Sequence, residues 1–324
     1  MTTFSVTRRR ALRLALSGGV ALATTAIALS GSVASTILAQ QSGSSVQLIG
    51  VEAGAVPTTN DVPEVSTTEL DSAGNPVNGA VAIPIVVQTV DLATGQVQTV
   101  STPQSLPDGT PLLQSDEVVT GITTLVDGTI VLTIDPVIGA VNETNPTRIV
   151  LLRATPVALS VSGLKQDEQL GDVAGTSDGS LLGLVMKKNG TPPADLAQID
   201  LGTGALTTVN KIQLPRNRSF RTLTQCPDGT LYTTAVQNGG DTNLVHLDLG
   251  QNKAVDSVTL TSNGSVWNSG LESLMCTGGS QPQLFALGAP RYVSPNAVYT
   301  VDVGSGAMTR VGDLDVAKAT LARN

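Results

Sequence analysis

The chain has 324 residues, enough to bury one large core or two ordinary ones, and aromatic side chains make up only 2% of it. So few aromatic rings exclude extended stacking platforms for bases or sugars. The formal charge is −8, and an acidic chain disfavours nucleic acid as a partner, because phosphates are held by Lys and Arg.

Residues 1–39 have the three parts of an export signal peptide: a basic start, an apolar stretch from Leu14 to Leu29, and a small-residue site at Ser32-Val33-Ala34. The segment Thr7-Arg8-Arg9-Arg10-Ala11-Leu12-Arg13 resembles the twin-arginine signal, although Ala11 stands where that pattern prefers Phe. The resemblance implies that the precursor uses the twin-arginine (Tat) export machinery and that the mature protein is periplasmic or extracellular in a bacterium. Loss of the four signal arginines would change the formal charge from −8 to −12.

An uncleaved membrane anchor is the alternative interpretation of the same segment. Ser17-Gly18-Gly19 and Thr24-Thr25 interrupt its apolar stretch, which weakens it as a spanning helix. No later segment approaches the length of uninterrupted apolar sequence that a spanning helix needs. We therefore expect no stable membrane insertion after the signal is removed.

Residues 65–324 carry a repeat of about fifty residues, preceded by a loose lead-in at residues 40–64. Turn dipeptides that readily take the positive φ angles of a tight hairpin mark each repeat. They are Asn78-Gly79, Asp127-Gly128, Asp178-Gly179, Asp228-Gly229 and Gly278-Gly279. Strand-like runs flank them, as Ile122–Val126 and Thr129–Ile134 flank Asp127-Gly128.

A second turn in most repeats follows an aspartate, as in Ile199-Asp200-Leu201-Gly202-Thr203-Gly204. The repeated residues are Asp91, Asp200, Asp248 and Asp302, and Leu151 and Leu152 stand where a fifth is expected. An aspartate before a Gly-containing turn hydrogen-bonds the backbone, so these residues are interpreted as structural. Two hairpins in each repeat predict four antiparallel strands.

Four-stranded units at this period are typical of an all-β fold, the β-propeller, and the Val/Ile-Asp-Leu-x-Thr-Gly pattern resembles the outer turn of many secreted bacterial propellers. We predict about five or six four-stranded antiparallel blades. Val46–Val56 and Gly312–Ala322 are left over, and they form either a partial extra blade or the strand exchange that closes the ring. An open stack of sheets or a pair of β-sandwiches is the alternative, and the fixed period argues against both.

Polar residues lie ten positions before each hairpin turn, where the chain enters a blade: Thr68, Glu117, Glu168, Arg218 and Asn268. In propellers this loop borders one end of the central channel. The pattern predicts a ligand pocket that uses Glu117, Glu168, Arg218, Trp267 and Asn268. Further polar residues beside these positions are Asp116, Asp167, Arg216 and Arg221. The alternative is that exposed loops are polar without any special cause.

Metal and cofactor chemistry has little support in the sequence. His246 is the single histidine, which excludes His-cluster metal sites, and we predict no metal site and no cofactor. Gly175-Thr176-Ser177-Asp178-Gly179 matches the letters of a nucleophile elbow, but it falls on a strand and a hairpin instead of a strand and a helix.

Cys226 and Cys276 are one repeat apart on neighbouring inner strands. The sequence leaves undecided whether they form a disulfide, because the bond requires their Cα atoms to approach within about 7 Å. Equivalent points on adjacent blades are often farther apart than that. The sequence therefore favours two separate core residues.

These observations favour a non-enzymatic binding or scaffold module of the cell envelope, whose partner is an unidentified envelope protein, peptide or carbohydrate. The alternative is a carboxylate-dependent hydrolase or lyase at the channel mouth, with Glu117 and Glu168 as its acids and Glu272 as a third candidate. Propeller oxidoreductases with a quinone cofactor share a similar Asp-x-x-Thr-Gly turn, but they continue to a Trp where this chain has Val100, Val209 or Val255. That departure argues against the quinone cofactor.

Overall fold

The structure is a computed structural model, and it describes residues 46–53, 82–101, 103, 105–114, 116–137, 146–188, 194–212, 218–237, 240–251, 253–278, 282–291 and 295–322. Within these ranges the regular secondary structure is β throughout. The described residues contain no helix that is long and apolar enough to cross a membrane.

Blades 2, 3 and 4 each consist of four consecutive antiparallel strands, with the first at the centre and the last on the outside. Blade 2 contains β4 (Glu117–Thr124), β5 (Ile130–Pro136), β6 (Arg148–Leu152) and β7 (Val157–Ser160). Blade 3 contains β8 (Glu168–Gly175), β9 (Leu181–Lys187), β10 (Ala194–Ile199) and β11 (Leu206–Ile212). Blade 4 contains β12 (Arg218–Gln225), β13 (Leu231–Gln237), β14 (Thr242–Asp248) and β15 (Lys253–Thr259).

Blade 5 has the same core of four strands and carries an added hairpin on its outer edge. The core strands are β18 (Ser273–Cys276), β19 (Leu284–Gly288), β20 (Ala297–Val301) and β21 (Ala307–Asp313). The hairpin is β16 (Thr261–Ser262) and β17 (Ser265–Val266), and β16 pairs parallel to β21.

Blade 1 joins the two ends of the described chain and closes the ring. From the centre outward it contains β22 (Lys318–Leu321), β1 (Gln47–Ala53), β2 (Ile85–Asp91) and β3 (Val97–Ser101). The inner strands contact one another in a complete circle, β22 to β4, β8, β12, β18 and back to β22. The chain is a five-bladed β-propeller.

Strand exchange is thus the role of the described parts of the two leftover segments, residues 46–53 and 312–322, which form no partial extra blade. Leu48 pairs with Leu321 and Val51 with Lys318 across β1 and β22. β1 lies inside residues 40–64, which the sequence assigned to a loose lead-in, so the propeller begins before residue 65. The physical reason is that Leu48 and Val51 are fully buried and supply core side chains from a strand.

The inner hairpins follow the predicted turn chemistry. Gly128, Gly179 and Gly229 have φ of +81°, +86° and +88°, values that favour glycine. The aspartate before each accepts an N–H two residues on, as Asp127 Oδ1 does from Thr129 at 2.9 Å. Gly175–Gly179 lies on the β8 to β9 hairpin and has no helix after it. Asn78-Gly79 and Gly279 lie outside the described residues.

The repeated aspartates of the outer turns have the structural role that the sequence predicts. Asp200 Oδ1 accepts the backbone N–H groups of Gly202 and Thr203 at 2.9 and 2.8 Å. Asp91, Asp248 and Asp302 accept corresponding bonds in their own turns. The Thr203 hydroxyl and these amides hold the pKa of Asp200 below its usual range. Blade 2 makes this turn without an aspartate.

The hydrophobic core consists of five layers, each lying between two neighbouring blades. One layer packs Leu184 and Leu196 of blade 3 against Phe220 and Leu231 of blade 4. The layer at the closure packs blade 1 against blade 5, with Phe285 fully buried in it. Because both faces of each sheet are covered, the middle strands are continuous apolar runs, as in β9.

Cys226 and Cys276 form a disulfide, with Cα atoms 5.1 Å apart. The sequence favoured two separate residues, and that expectation is wrong. The reason is geometric: β12 and β18 touch within the inner ring, so the two cysteines at their ends come within bonding reach. The bond joins blades 4 and 5.

Candidate functional site

A cavity of about 410 Å³ opens at the end of the channel where the inner strands begin. All five blades contribute side chains to it. The lining residues are Val118, Val119, Thr120, Gln169, Gly171, Met186, Lys188, Ser219, Phe220, Arg221, Leu271, Glu272 and Lys318. The cavity is therefore a mouth of the central channel, which we call the channel mouth.

β-Bulges place several of these residues. The register of β4 shifts between Val119 and Gly121, that of β8 between Leu170 and Asp172, and that of β12 between Phe220 and Leu223. A bulge bends the strand and re-aims a side chain. The bulge residues that line the channel mouth are Thr120, Gly171 and Arg221.

Positive charge collects at the channel mouth of this acidic chain. Lys188, Arg221 and Lys318 line it, and Glu272 is the one acid among the described lining residues. Lys318 Nζ donates to the Glu272 carbonyl at 2.9 Å and to Glu272 Oε2 at 3.1 Å. Glu272 therefore neutralises Lys318 and leaves the other two cations without a lining carboxylate.

Arg221 lies against the backbone of Gly270. A Cβ at position 270 would stand 3.3 Å from Arg221 Cδ and 3.5 Å from its Nε, so glycine allows the side chain to approach the backbone closely. Arg221 is exposed, and no hydrogen bond or ion pair joins its guanidinium to the part of the chain that the structure describes. Its donors remain available to a ligand.

Two buried carboxyl groups lie behind the channel mouth. Asp172 is in blade 3, and its Oδ1 accepts the N–H of Val173 at 2.9 Å while its Oδ2 accepts the N–H of Leu223 in blade 4 at 2.8 Å. Burial raises the pKa of Asp172 to about 7, against the attraction of Lys318. The carboxylate also occupies the space that a Cβ on Gly121 would need.

Asp135 on β5 is the second buried acid, and it lies directly behind Thr120. The Thr120 hydroxyl donates to Asp135 Oδ2 at 3.0 Å, and the Thr147 hydroxyl donates to Oδ1. Burial raises the pKa of Asp135 to about 6, while these two hydroxyls and the charge of Lys188 oppose the shift. Asp135 thus couples to two lining residues without reaching the cavity itself.

We expect Asp172 to make the fold less stable as the pH rises. The folded state holds a proton on Asp172 below about pH 7, whereas in the unfolded chain this carboxyl is ionised above its ordinary pKa of 3.8. Raising the pH through the folded pKa removes the proton that only the folded state binds. Asp172 alone should lower the free energy of unfolding by about 2 kcal/mol between about pH 5 and pH 7.

Denaturant unfolding across this pH interval measures the effect. Asp172→Asn should flatten the slope, and Asp315→Asn, at an exposed aspartate, should leave it as in the wild type. A wild-type stability that stays constant or rises over the interval would contradict the prediction.

The structure does not bring Glu117, Glu168 and Arg218 together. Glu117 is buried and forms a two-point ion pair with Arg148 of β6, with Nε to Oε1 at 2.9 Å and Nη2 to Oε2 at 2.5 Å. Glu168 pairs with Lys165 three residues earlier. Arg218 donates to Ser257 Oγ of the outer strand β15 at 3.0 Å. None of the three lines the channel mouth.

The other predicted residues have different positions. Trp267 is buried in the layer between blades 4 and 5, edge-to-face with Tyr299 at a ring separation of 5.2 Å. Asn268 beside it is exposed, and Asp167 pairs with Lys187 at 3.2 Å. Asp116 lies in the loop before β4. Thr68 and Arg216 lie outside the described residues.

Comparison with known proteins shows only distant likeness. No family model matches the chain, and no curated protein matches it either. A solved protein of unknown function from Dyadobacter fermentans is 8% identical over 75% of this chain and 76% of its own, with a TM-score of 0.48. Glutaminyl cyclase from Myxococcus xanthus is 14% identical over 64% of this chain and 72% of its own, with a TM-score of 0.38. Likenesses at this level carry no argument about function.

Two residues that the sequence analysis named, Arg221 and Glu272, do line the channel mouth. Lys188, Lys318 and the buried acids Asp135 and Asp172 were not predicted. The repeat contained the signal for the bulge positions, since Thr120, Gly171 and Arg221 each lie three residues after Glu117, Glu168 and Arg218. The lining residues of the channel mouth therefore follow the predicted period, three positions after the polar residues that the sequence singled out.

Proposed function

We propose that this chain is an exported binding module of a bacterial cell envelope, which holds a small ligand in the channel mouth. The observation that carries the proposal is a single cavity to which all five blades contribute and in which charged side chains converge. Its volume of about 410 Å³ is within the range of small-molecule sites.

The opposite end of the channel supports a site with one entrance. A second cavity, of about 20 Å³, lies there between the ends of the inner strands, and it has room for about one water molecule. Thr123, Thr224 and Thr320 line it together with Cys276 of the disulfide. A ligand would therefore enter and leave through the channel mouth.

The carboxylate-dependent hydrolase finds less support. Such chemistry needs two carboxyl groups on either side of a substrate, one acting as acid and one as base or nucleophile. Glu117 and Glu168 are each held in ion pairs away from the cavity, and Glu272 is paired with Lys318. A binding role requires no such pair.

Filling the cavity tests the proposal. A broad screen of small metabolites should find ligands for residues 40–324, and Gln169→Trp should abolish their binding because this side chain faces the channel mouth. Gln198→Trp, at an exposed position on β10, is the matched control and should bind as the wild type does. The proposal fails if no compound binds, or if both variants bind alike.

Export has its own test. Replacing Arg8, Arg9 and Arg10 with Lys should leave the precursor in the cytoplasm, because paired arginines are what the twin-arginine pathway reads. Cell fractionation measures this. Unchanged export of the Lys variant would remove the twin-arginine part of the proposal and leave the cavity argument intact.

A further inference from the structure

We propose that the ligand of the channel mouth is a small organic anion, whose acidic group is bound by Arg221 and Lys188 and whose remaining part fills the cavity. This inference rests on the proposed binding function and names the chemical class of the ligand.

The charge balance at the channel mouth is the first argument. Three cations and one acid line it, on a chain whose formal charge is −8. Glu272 pairs with Lys318, so the remaining positive charge belongs to Arg221 and Lys188. Like charges gathered in a concave site raise the local concentration of the opposite charge, so the site attracts anions.

The construction of Arg221 is the second argument. The bulge in β12 turns this residue toward the channel mouth, and Gly270 leaves space for it on the neighbouring loop. A guanidinium presents a planar fork of donors, which matches the two oxygens of a carboxylate, phosphate or sulfonate. The corresponding bulge positions of blades 2 and 3 are occupied by Thr120 and Gly171. Among these three blades, only blade 4 therefore has a cation at the bulge position.

The volume of the channel mouth indicates what else the ligand contains. Val119, Met186, Phe220 and Leu271 lie among the polar lining residues. These four side chains are already buried by the protein and offer a ligand little surface, but the volume of the cavity exceeds what an inorganic ion fills and leaves room for an organic body. A volume of about 410 Å³ is in the range of small-molecule sites, which favours a small molecule as the ligand.

The buried acids give the site a dependence on pH. Asp135 faces Lys188 and the hydroxyls of Thr120 and Thr147, and Asp172 faces Lys318 and the backbone amides of Ile122, Val173 and Leu223. Burial raises the pKa of Asp135 to about 6 and that of Asp172 to about 7. Both acids are neutral at about pH 5, and the cations are then less compensated. Anion affinity should therefore rise as the pH falls.

Three probes with the same aromatic ring and different charge test the inference: benzenesulfonate, benzenesulfonamide and phenyltrimethylammonium. Titration calorimetry on residues 40–324 should show binding of the sulfonate in preference to the other two. The sulfonate stays ionised throughout, so its tighter binding at about pH 5 than at about pH 8 would report the protein's own groups.

Charge-removing variants locate the contact. Arg221→Gln and Lys188→Gln should each weaken sulfonate binding about tenfold, since each removes a charged hydrogen-bond donor. Lys253→Gln, at an exposed lysine on the outer strand β15, is the matched control and should have no effect.

The outcomes separate this inference from the proposed function. Sulfonate binding that weakens about tenfold in Arg221→Gln and is lost in Gln169→Trp supports both. If the neutral or cationic probe binds as well as the sulfonate and Gln169→Trp abolishes that binding, the cavity is a ligand site and the anion inference is overturned. Sulfonate affinity that is unchanged in Arg221→Gln and Lys188→Gln overturns it as well, and so does a failure of the sulfonate to bind.

Discussion

Replacing Glu117 with Gln is expected to lower the free energy of unfolding by about 3 kcal/mol. The carboxylate is buried and forms a two-point ion pair with Arg148, and it also accepts the N–H of Gln114 at 3.0 Å. Gln keeps the shape and removes the charge, so the partly buried Arg148 is left without its counter-ion. Denaturant unfolding of the wild type and the variant measures the loss.

The repeat supplies a matched control for this variant. Glu168 is at the same position one blade later, but its partner Lys165 is 73% exposed. Glu168→Gln should therefore cost less than about 1 kcal/mol. Adding Arg148→Met to Glu117→Gln should recover part of the loss, because no unpaired charge then remains. Equal losses in the two single variants would show that the buried Glu117 ion pair stabilises the fold no more than the exposed Glu168 ion pair does.

Removing the disulfide is the second substitution with a large expected effect. The bond closes a loop across 50 positions, and a cross-link of that span stabilises a fold by about 4 kcal/mol when it restricts the unfolded chain. The double variant Cys226→Ser/Cys276→Ser should lose about that much, as measured by denaturant unfolding under oxidising conditions.

A reductant supplies the control for the disulfide. The wild type in reducing buffer should unfold at the same denaturant concentration as the double variant, and the double variant should not respond to the reductant. If reduction leaves the wild type unchanged, the cross-link does not contribute to its stability.

The sequence predicts the fold well because its signals are local. A tight hairpin needs a residue that tolerates positive φ, so Gly128, Gly179 and Gly229 mark the repeat in the sequence itself. The outer turns need an aspartate for their backbone amides, and Asp200 and its equivalents mark them in the same way. Neither signal depends on a contact with another blade.

The site is predicted less well because contacts between distant residues decide it. Glu117 carries the same charge whether it faces a ligand or Arg148, which lies 31 residues later. Whether Arg218 or Arg221 lines the channel depends on the bulge in β12, which appears only once the pairing with β13 is known. The disulfide likewise depends on how closely two inner strands approach.

The pairing of β1 with β22 has a consequence for the order of events during synthesis. Leu48 leaves the ribosome early, whereas Leu321, its partner, is made only after every other blade has been translated. Blades 2, 3 and 4 are each continuous in the chain, so the four strands of each blade are translated one after another. Blade 1 lacks its innermost strand until β22 has been made. Closure of the ring is therefore a late, long-range step that follows translation.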